Sequence, residues 1–214
     1  MPRANPYALR REANGVVRIL AEAGLRLSLT RLCTLAQATL EVATPLTPAE
    51  TLAALQSFCR GRLEALLADA EIPLPIVRAV LAVSADVPAD ALGRAQALTR
   101  RAGEPALARV ANRLAHIGKG ASADALHPEL LFEPAERDLY QHVLTLGPRL
   151  EQLAAVGEFD ELLALLTTFV PAVDAFFNTV LVMADDLALR DARLALVHRT
   201  AALFRLLADF TQMG

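Results

Sequence analysis

The clearest chemical signal in the sequence is a run of basic residues between Ala91 and Lys119. This window has one acid, Glu104, and a net charge of +5. Its basic residues are Arg94, Arg100, Arg101, Arg109, Arg113 and Lys119. Because guanidinium groups form paired hydrogen bonds with phosphate oxygens, the window predicts either a phosphate-binding surface or an ordinary solvated helix face.

Part of this window has the spacing of an amphipathic helix. The apolar residues at core spacing are Leu107, Val110, Leu114 and Ile117. The polar residues that share the other face, three and four positions apart, are Arg109, Asn112, Arg113 and His116. Arginines beside an amide suit contacts with phosphates and with base edges or sugars. The face therefore indicates nucleic-acid binding, although the whole chain has a net charge of −3.

Catalysis is not predicted by any motif of the sequence. It has no glycine-rich phosphate loop after a strand and no HExxH or clustered Cys/His pattern for a metal. The four histidines lie on separate predicted segments, at His116, His127, His142 and His198. We expect no catalytic residue and no metal ligand in this chain.

Two further pairs of residues have simpler structural interpretations. Cys33 and Cys59 are isolated in apolar helical contexts, so we expect reduced core residues and neither a disulfide nor a zinc site. Asp185 and Asp186 precede the last predicted helix, where two acids interact favourably with the helix N-terminus. We therefore predict a helix cap at this position, with a paired-carboxylate metal site as the alternative.

The composition predicts an all-α fold, a helical bundle. The chain is 54% hydrophobic with a mean hydropathy of +0.36, and much of this is alanine and leucine. No uninterrupted apolar run approaches the roughly 20 residues of a membrane span. The N-terminal residues lack the apolar stretch of a secretory signal, so we expect a cytoplasmic protein that does not enter a membrane.

Cap and breaker residues predict where the helices lie. Asn5 and Pro6 begin the first helix, and Thr47-Pro48-Ala49-Glu50 predicts a capping box with proline in the first turn. The predicted helices are 6–24, 28–42, 48–68, 75–83, 89–101, 105–117, 134–156, 158–169, 171–183 and 185–211. The helix 134–156 is expected to bend or break at Gly147-Pro148. A domain boundary is predicted within 84–88.

Four blocks along the chain resemble, in the same order, the bacterial glycyl-tRNA synthetase β-subunit family. Asn5-Pro6-Tyr7-Ala8-Leu9-Arg10-Arg11 is similar to the family's DPxALRR segment, and residues 108–114 (ARVANRL) are similar to its KRVxNIL helix. Residues 173–178 (VDAFFN) and 180–197 (VLVMADDLALRDARLALV) resemble its C-terminal VDAFFDxVMVMADDxxLRxNRLxLL pattern. Residues 58–63 and 79–81 resemble the helices that join these blocks.

The resemblance implies two domains and a role in a larger enzyme. Residues 1–85 would be the tail of the HD-like body of the β subunit, and residues 86–214 a DALR-type anticodon-binding helical bundle. The implied partners are tRNA(Gly), the α subunit, which holds the aminoacylation site, and the rest of the β subunit. The ligase uses ATP and magnesium, but we expect this segment to bind no cofactor.

The resemblance also assigns candidate tRNA contacts. Arg109, Asn112, Arg190 and Arg193 keep the family identities, whereas Ala108, Arg113 and Ala192 depart from them. The predicted tRNA-binding residues are Arg109, Asn112, Arg113, Lys119, Arg190 and Arg193. We expect the helices of Arg109 and Arg193 to place both guanidinium groups on one open surface. The alternatives are that Arg190 and Arg193 pair with acids such as Asp174 or Asp185, and that the chain is a freestanding protein-interaction module without tRNA binding.

Overall fold

A computed structural model describes residues 6–39, 45–101, 105–120, 122 and 126–213. These residues form ten α-helices and two short 3-10 helices with no strand among them, which confirms the all-α prediction. The chain divides into two compact units, Met1–Gln96 and Ala97–Gly214. This division falls inside a helix. The predicted boundary, at about residue 85, lies before the start of that helix, so the two predicted domains stay a prediction.

The first unit is built from four helices and most of a fifth. They are α1 (Pro6–Glu22), α2 (Leu29–Thr39), α3 (Pro48–Asp69), α4 (Leu74–Leu81) and α5 (Pro88–Arg100). The capping box of α3 is confirmed, because Thr47 Oγ1 accepts a hydrogen bond from the Glu50 backbone and the Glu50 carboxylate accepts one from the Thr47 backbone. The predicted cap Asn5 and the predicted end of α2 at residue 42 lie outside the described residues.

Apolar and ionic contacts both hold the first unit together. Helix α4 is buried along most of its length, and α3 packs against α1, α2 and α4. Asp90 of α5 accepts hydrogen bonds of 2.5 and 2.9 Å from Arg26 and also pairs with the buried Arg94 at 3.3 Å. Cys33 of α2 and Cys59 of α3 are free and half-buried, and their thiols interact with one another. Burial raises the pKa of both thiols, which favours the protonated form.

The second unit holds the remaining helices. They are α6 (Pro105–Ile117), α7 (Pro134–Val156), α8 (Phe159–Thr167), α9 (Val170–Thr179) and α10 (Leu187–Arg205), with 3-10 helices at Pro128–Leu130 and Phe210–Gln212. Helix α6 packs against α9 and α10, and α7 packs against α8, α9 and α10. Of the predicted bend or break in α7, the break is wrong, since the helix continues through Pro148, and the bend stays a prediction. The predicted helices 171–183 and 185–211 both end earlier, at Thr179 and Arg205.

Aromatic residues form the centre of the second unit. Phe169, Phe176 and Phe204 are fully buried, and the rings of Phe169 and Phe204 meet edge to face at 6.2 Å. The segment Phe159–Thr179 is long and apolar enough, by length and composition alone, to cross a membrane, although Asp160, Glu161 and Asp174 interrupt its apolar residues. The structure folds this segment into α8 and α9, which pack on α7 with their leucines and phenylalanines in the core. We therefore interpret it as core.

Candidate nucleic-acid interface

Helix α6 has the two faces that its sequence predicts. Leu107, Val110 and Leu114 are buried, while Arg109 and Arg113 are exposed. Pro105 occupies the first position of the helix. A backbone N–H at that position would have no intrahelical acceptor, so proline, which lacks the N–H, costs the helix no hydrogen bond there. The polar face is thus held in place by packing of the opposite face against α9 and α10.

Arg109 is exposed but already has an acidic partner. Its two terminal nitrogens donate hydrogen bonds of 2.8 Å to both carboxylate oxygens of Asp174 on α9. This hydrogen bonding raises the pKa of Arg109 and lowers the pKa of Asp174. With its side chain 55% exposed, Arg109 is accessible to an incoming phosphate, but the phosphate must compete with Asp174.

Arg113 is arranged differently, against an aromatic ring. Its guanidinium carbon lies 4.3 Å from the centre of the Phe177 ring, and its Nη2 donates a hydrogen bond of 3.4 Å to the Phe177 carbonyl. No ion pair joins it to a carboxylate of the described residues. A guanidinium held over a ring has lost part of its conformational freedom already, which suits it to bind a phosphate or a base plane.

Asn112 and Lys119 occupy the rest of the predicted face. The Asn112 Oδ1 atom is enclosed and accepts no hydrogen bond from the residues that the structure describes, so it cannot contact RNA without rotation of the side chain. Lys119 is exposed just after α6, at the edge of a cleft of about 420 Å³ between α6 and α10. The cleft also includes His198 and Arg205, and Arg205 pairs with Asp209 at 2.9 Å.

The expectation that Arg193 shares an open surface with Arg109 is wrong. Arg193 is buried, with its side chain 7% exposed, and it forms an ion pair through Nε with the fully buried Glu136 of α7. Its Nη1 donates a hydrogen bond of 2.8 Å to the Leu181 carbonyl. A guanidinium that satisfies buried acceptors cannot also bind a phosphate. The alternative of an acid pair therefore holds for Arg193, although the acid is neither Asp174 nor Asp185.

Arg190 lies one turn before Arg193 on the same helix. Its side chain is about one-third exposed, and its Nε lies 3.5 Å from the carboxylate of Asp191. The cap predicted before α10 is confirmed for Asp186, whose carboxylate accepts a hydrogen bond from the Leu189 backbone. Among the residues that the structure describes, no group of three or more acidic, histidine or cysteine side chains is placed to hold a metal.

The local charge of the basic window is lower than the sequence suggests. Arg94 pairs with Asp90, Arg100 with Asp160 and Arg109 with Asp174. These acids lie outside the window in the sequence, so counting charges within it did not include them. Glu104 lies outside the described residues.

Two residues that position the candidate arginines were missed from the sequence. Phe177 supports Arg113, and its position in the VDAFFN block gave no sign of that contact. Glu136 follows the predicted helix start at Pro134, where it closes a capping box by accepting a hydrogen bond from the Glu133 backbone. Its second contact, with Arg193, joins residues 57 positions apart, and no local pattern predicts it.

Comparisons with known proteins match both halves of the chain. Residues 104–210 match the DALR anticodon binding domain, and residues 2–82 match the family described as glycyl-tRNA synthetase beta subunit. The glycine–tRNA ligase beta subunit of Ralstonia nicotianae is 36% identical over 215 residues, which cover 98% of this chain and 31% of that protein. Those of Shewanella denitrificans and Anaeromyxobacter dehalogenans are each 37% identical, over 97% and 98% of this chain and 30% and 31% of their own lengths.

These relatives confirm the resemblance found in the sequence, although the chain spans less than a third of their length. The first family model covers α1 to α4, and the second covers α6 to α10 with the Arg109 and Arg113 contacts. The chain therefore belongs to the glycyl-tRNA synthetase β-subunit family, and its residues 104–210 form a DALR anticodon binding domain.

Proposed function

We propose that this chain is a tRNA-binding segment of a glycine–tRNA ligase β subunit, in which the exposed face of α6 contacts the anticodon arm of tRNA(Gly). The observation that carries the proposal is the position of Arg113. It lies within the matched DALR domain, exposed, stacked on Phe177 and free of any described ion pair. Such an arginine meets an RNA backbone or an unstacked base at a small cost in side-chain entropy.

The other predicted contacts differ in how they would bind the RNA around Arg113. Arg109 exchanges the Asp174 carboxylate for a phosphate, and both are anionic oxygen acceptors with bidentate geometry. Lys119 adds positive charge at the C-terminal end of α6, and Asn112 contributes its amide after rotation. Arg190 remains a proposed contact, while the buried Arg193 is removed from the set.

The proposal places the chemistry of the ligase outside this segment. The relatives carry the name beta subunit, so we propose that the chain works with the α subunit and with the remaining part of a β subunit, in the cytoplasm. Glycylation of tRNA with ATP and magnesium would take place on the α subunit. The role of this segment would be to hold the tRNA by a part remote from its acceptor end.

Titration of the purified chain with tRNA(Gly) at several salt concentrations tests the proposal. We expect Arg109→Ala and Arg113→Ala to weaken binding and to reduce the log–log salt slope by about one for each phosphate contact removed. Arg31→Ala is the control, because Arg31 is an exposed arginine on α2. Equal effects of all three substitutions would refute the site. If wild-type chain binds no tRNA, the alternative of a protein-interaction module replaces the proposal.

A further inference from the structure

A polar cleft of about 310 Å³ lies between α1 and α3, inside the first unit. The residues that line it include Asn14, Gly15 and Arg18 of α1 and Arg62, Ala65 and Asp69 of α3. Within each helix these residues are mostly three or four positions apart, so they share the face that is turned to the cleft. Because α1 and α3 pack against each other, the two faces are held together by the fold of the unit.

Arg62 has a hydrogen-bond donor that is not used. Its Nε atom is enclosed and has no acceptor among the residues that the structure describes. Its guanidinium carbon lies 5.4 Å from the centre of the Phe58 ring, one turn earlier on α3, and no carboxylate of the described residues forms an ion pair with it. An enclosed donor without an acceptor is costly. A ligand oxygen that binds this guanidinium would therefore remove an existing cost.

Gly15 keeps the cleft open on the side of α1. It lies in the middle of this helix, where glycine is destabilising relative to alanine. Packing does not require glycine here, since a Cβ at this position would meet no described atom within 4 Å. Glycine is also used where a ligand approaches the backbone closely. The open space beside Gly15 therefore fits a ligand that lies against α1.

Arg18 adds a second cation whose acidic contacts are weak. Its Nε lies 3.5 Å from the Glu22 carboxylate and its Nη2 lies 3.8 Å from the Asp69 carboxylate, and all three side chains are more than half exposed. Exposed pairs of this kind contribute little to stability, so Arg18 can exchange them for a stronger acceptor. The residues that line the cleft have a net charge of +1, because two arginines face the single acid Asp69.

We propose that this cleft is a binding site for a phosphoryl group, in which Arg62 and Arg18 donate hydrogen bonds to the phosphoryl oxygens and the Asn14 amide adds a further donor. A phosphoryl group has three terminal oxygens in a tetrahedral arrangement, so it accepts from both helices at once, and the guanidinium fork matches its geometry. A carboxylate, with two oxygens in one plane, satisfies fewer of these donors. The phosphoryl group belongs either to free phosphate or to an RNA backbone. The inference rests on the cleft and not on the proposed function.

Titration of the purified chain with inorganic phosphate tests the proposal. Backbone amide NMR shifts are followed at constant ionic strength, with chloride as the reference anion. We expect saturable shifts in α1 and α3 of the wild type. Gly15→Leu should abolish them by filling the cleft, and Arg62→Gln should lower the affinity for phosphate by about tenfold, as expected for loss of a charged donor.

Two matched controls separate these effects from general damage. Gly61→Leu replaces another helical glycine with open space around its Cβ, and Gly61 does not line the cleft. Arg31→Gln removes an exposed arginine on α2. Both controls should bind phosphate like the wild type. Thermal unfolding of each variant shows whether it is folded, and Gly15→Leu should not lower the midpoint, because the new side chain meets no clash at Cβ.

Asp69→Asn gives an arm of opposite sign. We expect it to raise the affinity for phosphate by about two- to fivefold, because it removes a carboxylate that competes for Arg18 and repels the ligand. A fall in affinity would contradict the site. The proposal is also overturned if phosphate causes no saturable shifts beyond those of chloride, or if Gly15→Leu and Gly61→Leu bind phosphate equally.

Titration of the same two leucine variants with tRNA(Gly) identifies the source of the phosphoryl group. If Gly15→Leu binds tRNA more weakly than Gly61→Leu, the cleft holds a phosphate of the RNA backbone. If both bind tRNA equally while only Gly15→Leu loses inorganic phosphate, the ligand is free phosphate. Arg109→Ala and Arg113→Ala should leave the phosphate titration unchanged, so this proposal and the proposed function fail separately.

Discussion

The carboxylate of Glu136 and the guanidinium of Arg193 form an ion pair inside the second unit, joining α7 to α10. Each group has additional partners, because Glu136 accepts from the Glu133 backbone and Arg193 donates to the Leu181 carbonyl. A buried pair with its remaining hydrogen-bonding groups satisfied is tolerated, whereas either charge alone would be buried without compensation. The pair therefore ties together the start of α7, the α9–α10 loop and α10.

Removal of one partner should be far more destabilising than removal of both. We expect Glu136→Ala to lower the free energy of unfolding by about 3–5 kcal/mol, because Arg193 stays buried without a counter-charge. Glu136→Leu combined with Arg193→Met should recover most of that loss. Urea unfolding followed by circular dichroism measures both. Asp160→Ala is the control, since it removes the acid partner of the exposed Arg100 and should cost less than about 1 kcal/mol. A similar cost for Glu136→Ala would show that the pair is not structural.

The sequence predicted the helices well because their signals are local. The capping box at Thr47, the cap at Asp186 and the amphipathic spacing of α6 all involve residues within one or two turns of each other. Helix ends set by tertiary contacts were predicted less well. Helix α9 stops at Thr179 because Val180 and Val182 leave the helix to reach the core and Arg193 binds the Leu181 carbonyl between them.

The candidate site was predicted only in part, because the partners of its arginines are distant in sequence. The sequence identified Arg109 and Arg113 on one face of α6, but their contacts Asp174 and Phe177 are 65 and 64 positions away. Arg193 resembles a family residue and carries a positive charge, and neither property shows that it is buried. A basic residue in a motif identifies a binding surface only when its acid partners are also known.

Asp174 should limit RNA binding by competing for Arg109. We expect Asp174→Asn to raise the affinity for tRNA(Gly) by about two- to fivefold, because it removes a negative charge next to the phosphate-binding arginines. The free energy of unfolding should change by less than about 1 kcal/mol, as for other exposed ion pairs. Filter binding at low and high salt measures the effect, which should shrink as salt is added. A fall in affinity would instead make Asp174 a positioning residue for Arg109.

Gly118 should not tolerate a side chain where α6 meets α10. A Cβ at this position would lie 3.1 Å from the Leu114 carbonyl oxygen and 3.2 Å from the Cα and N atoms of His198. These are backbone atoms, so relief requires the helices to move, and we expect Gly118→Ala to destabilise by about 1–3 kcal/mol. Gly147→Ala is the matched control in the same unit, since its Cβ would meet only Leu203 side-chain atoms at 3.8 and 3.9 Å. Thermal unfolding should separate the two variants, and equal midpoints would contradict the close packing.

Asp86 should make the stability of the first unit depend on pH in the acid range. Burial alone would raise the pKa of its carboxyl, but hydrogen bonds from Ser28 and from the hydroxyl and backbone of Thr30 outweigh burial and lower the pKa. The Thr30 bonds measure 2.6 and 2.8 Å. A carboxyl with a folded pKa below its unfolded value of about 3.9 stabilises the fold above that pH and ceases to do so as the pH falls through the folded pKa.

The difference in unfolding free energy between wild type and Asp86→Asn should therefore be largest near pH 7 and should shrink steadily below about pH 4. Urea unfolding at a series of pH values from 7 to 3 measures it. Asp69→Asn is the control, because the Asp69 carboxylate is largely exposed and its only described ion pair is a 3.8 Å contact with Arg18. That variant should follow the wild-type curve. The difference in unfolding free energy between wild type and Asp86→Asn could instead stay constant down to pH 3. In that case the hydrogen bonds of Asp86 do not depend on its charge, and the carboxylate does not anchor the start of α2.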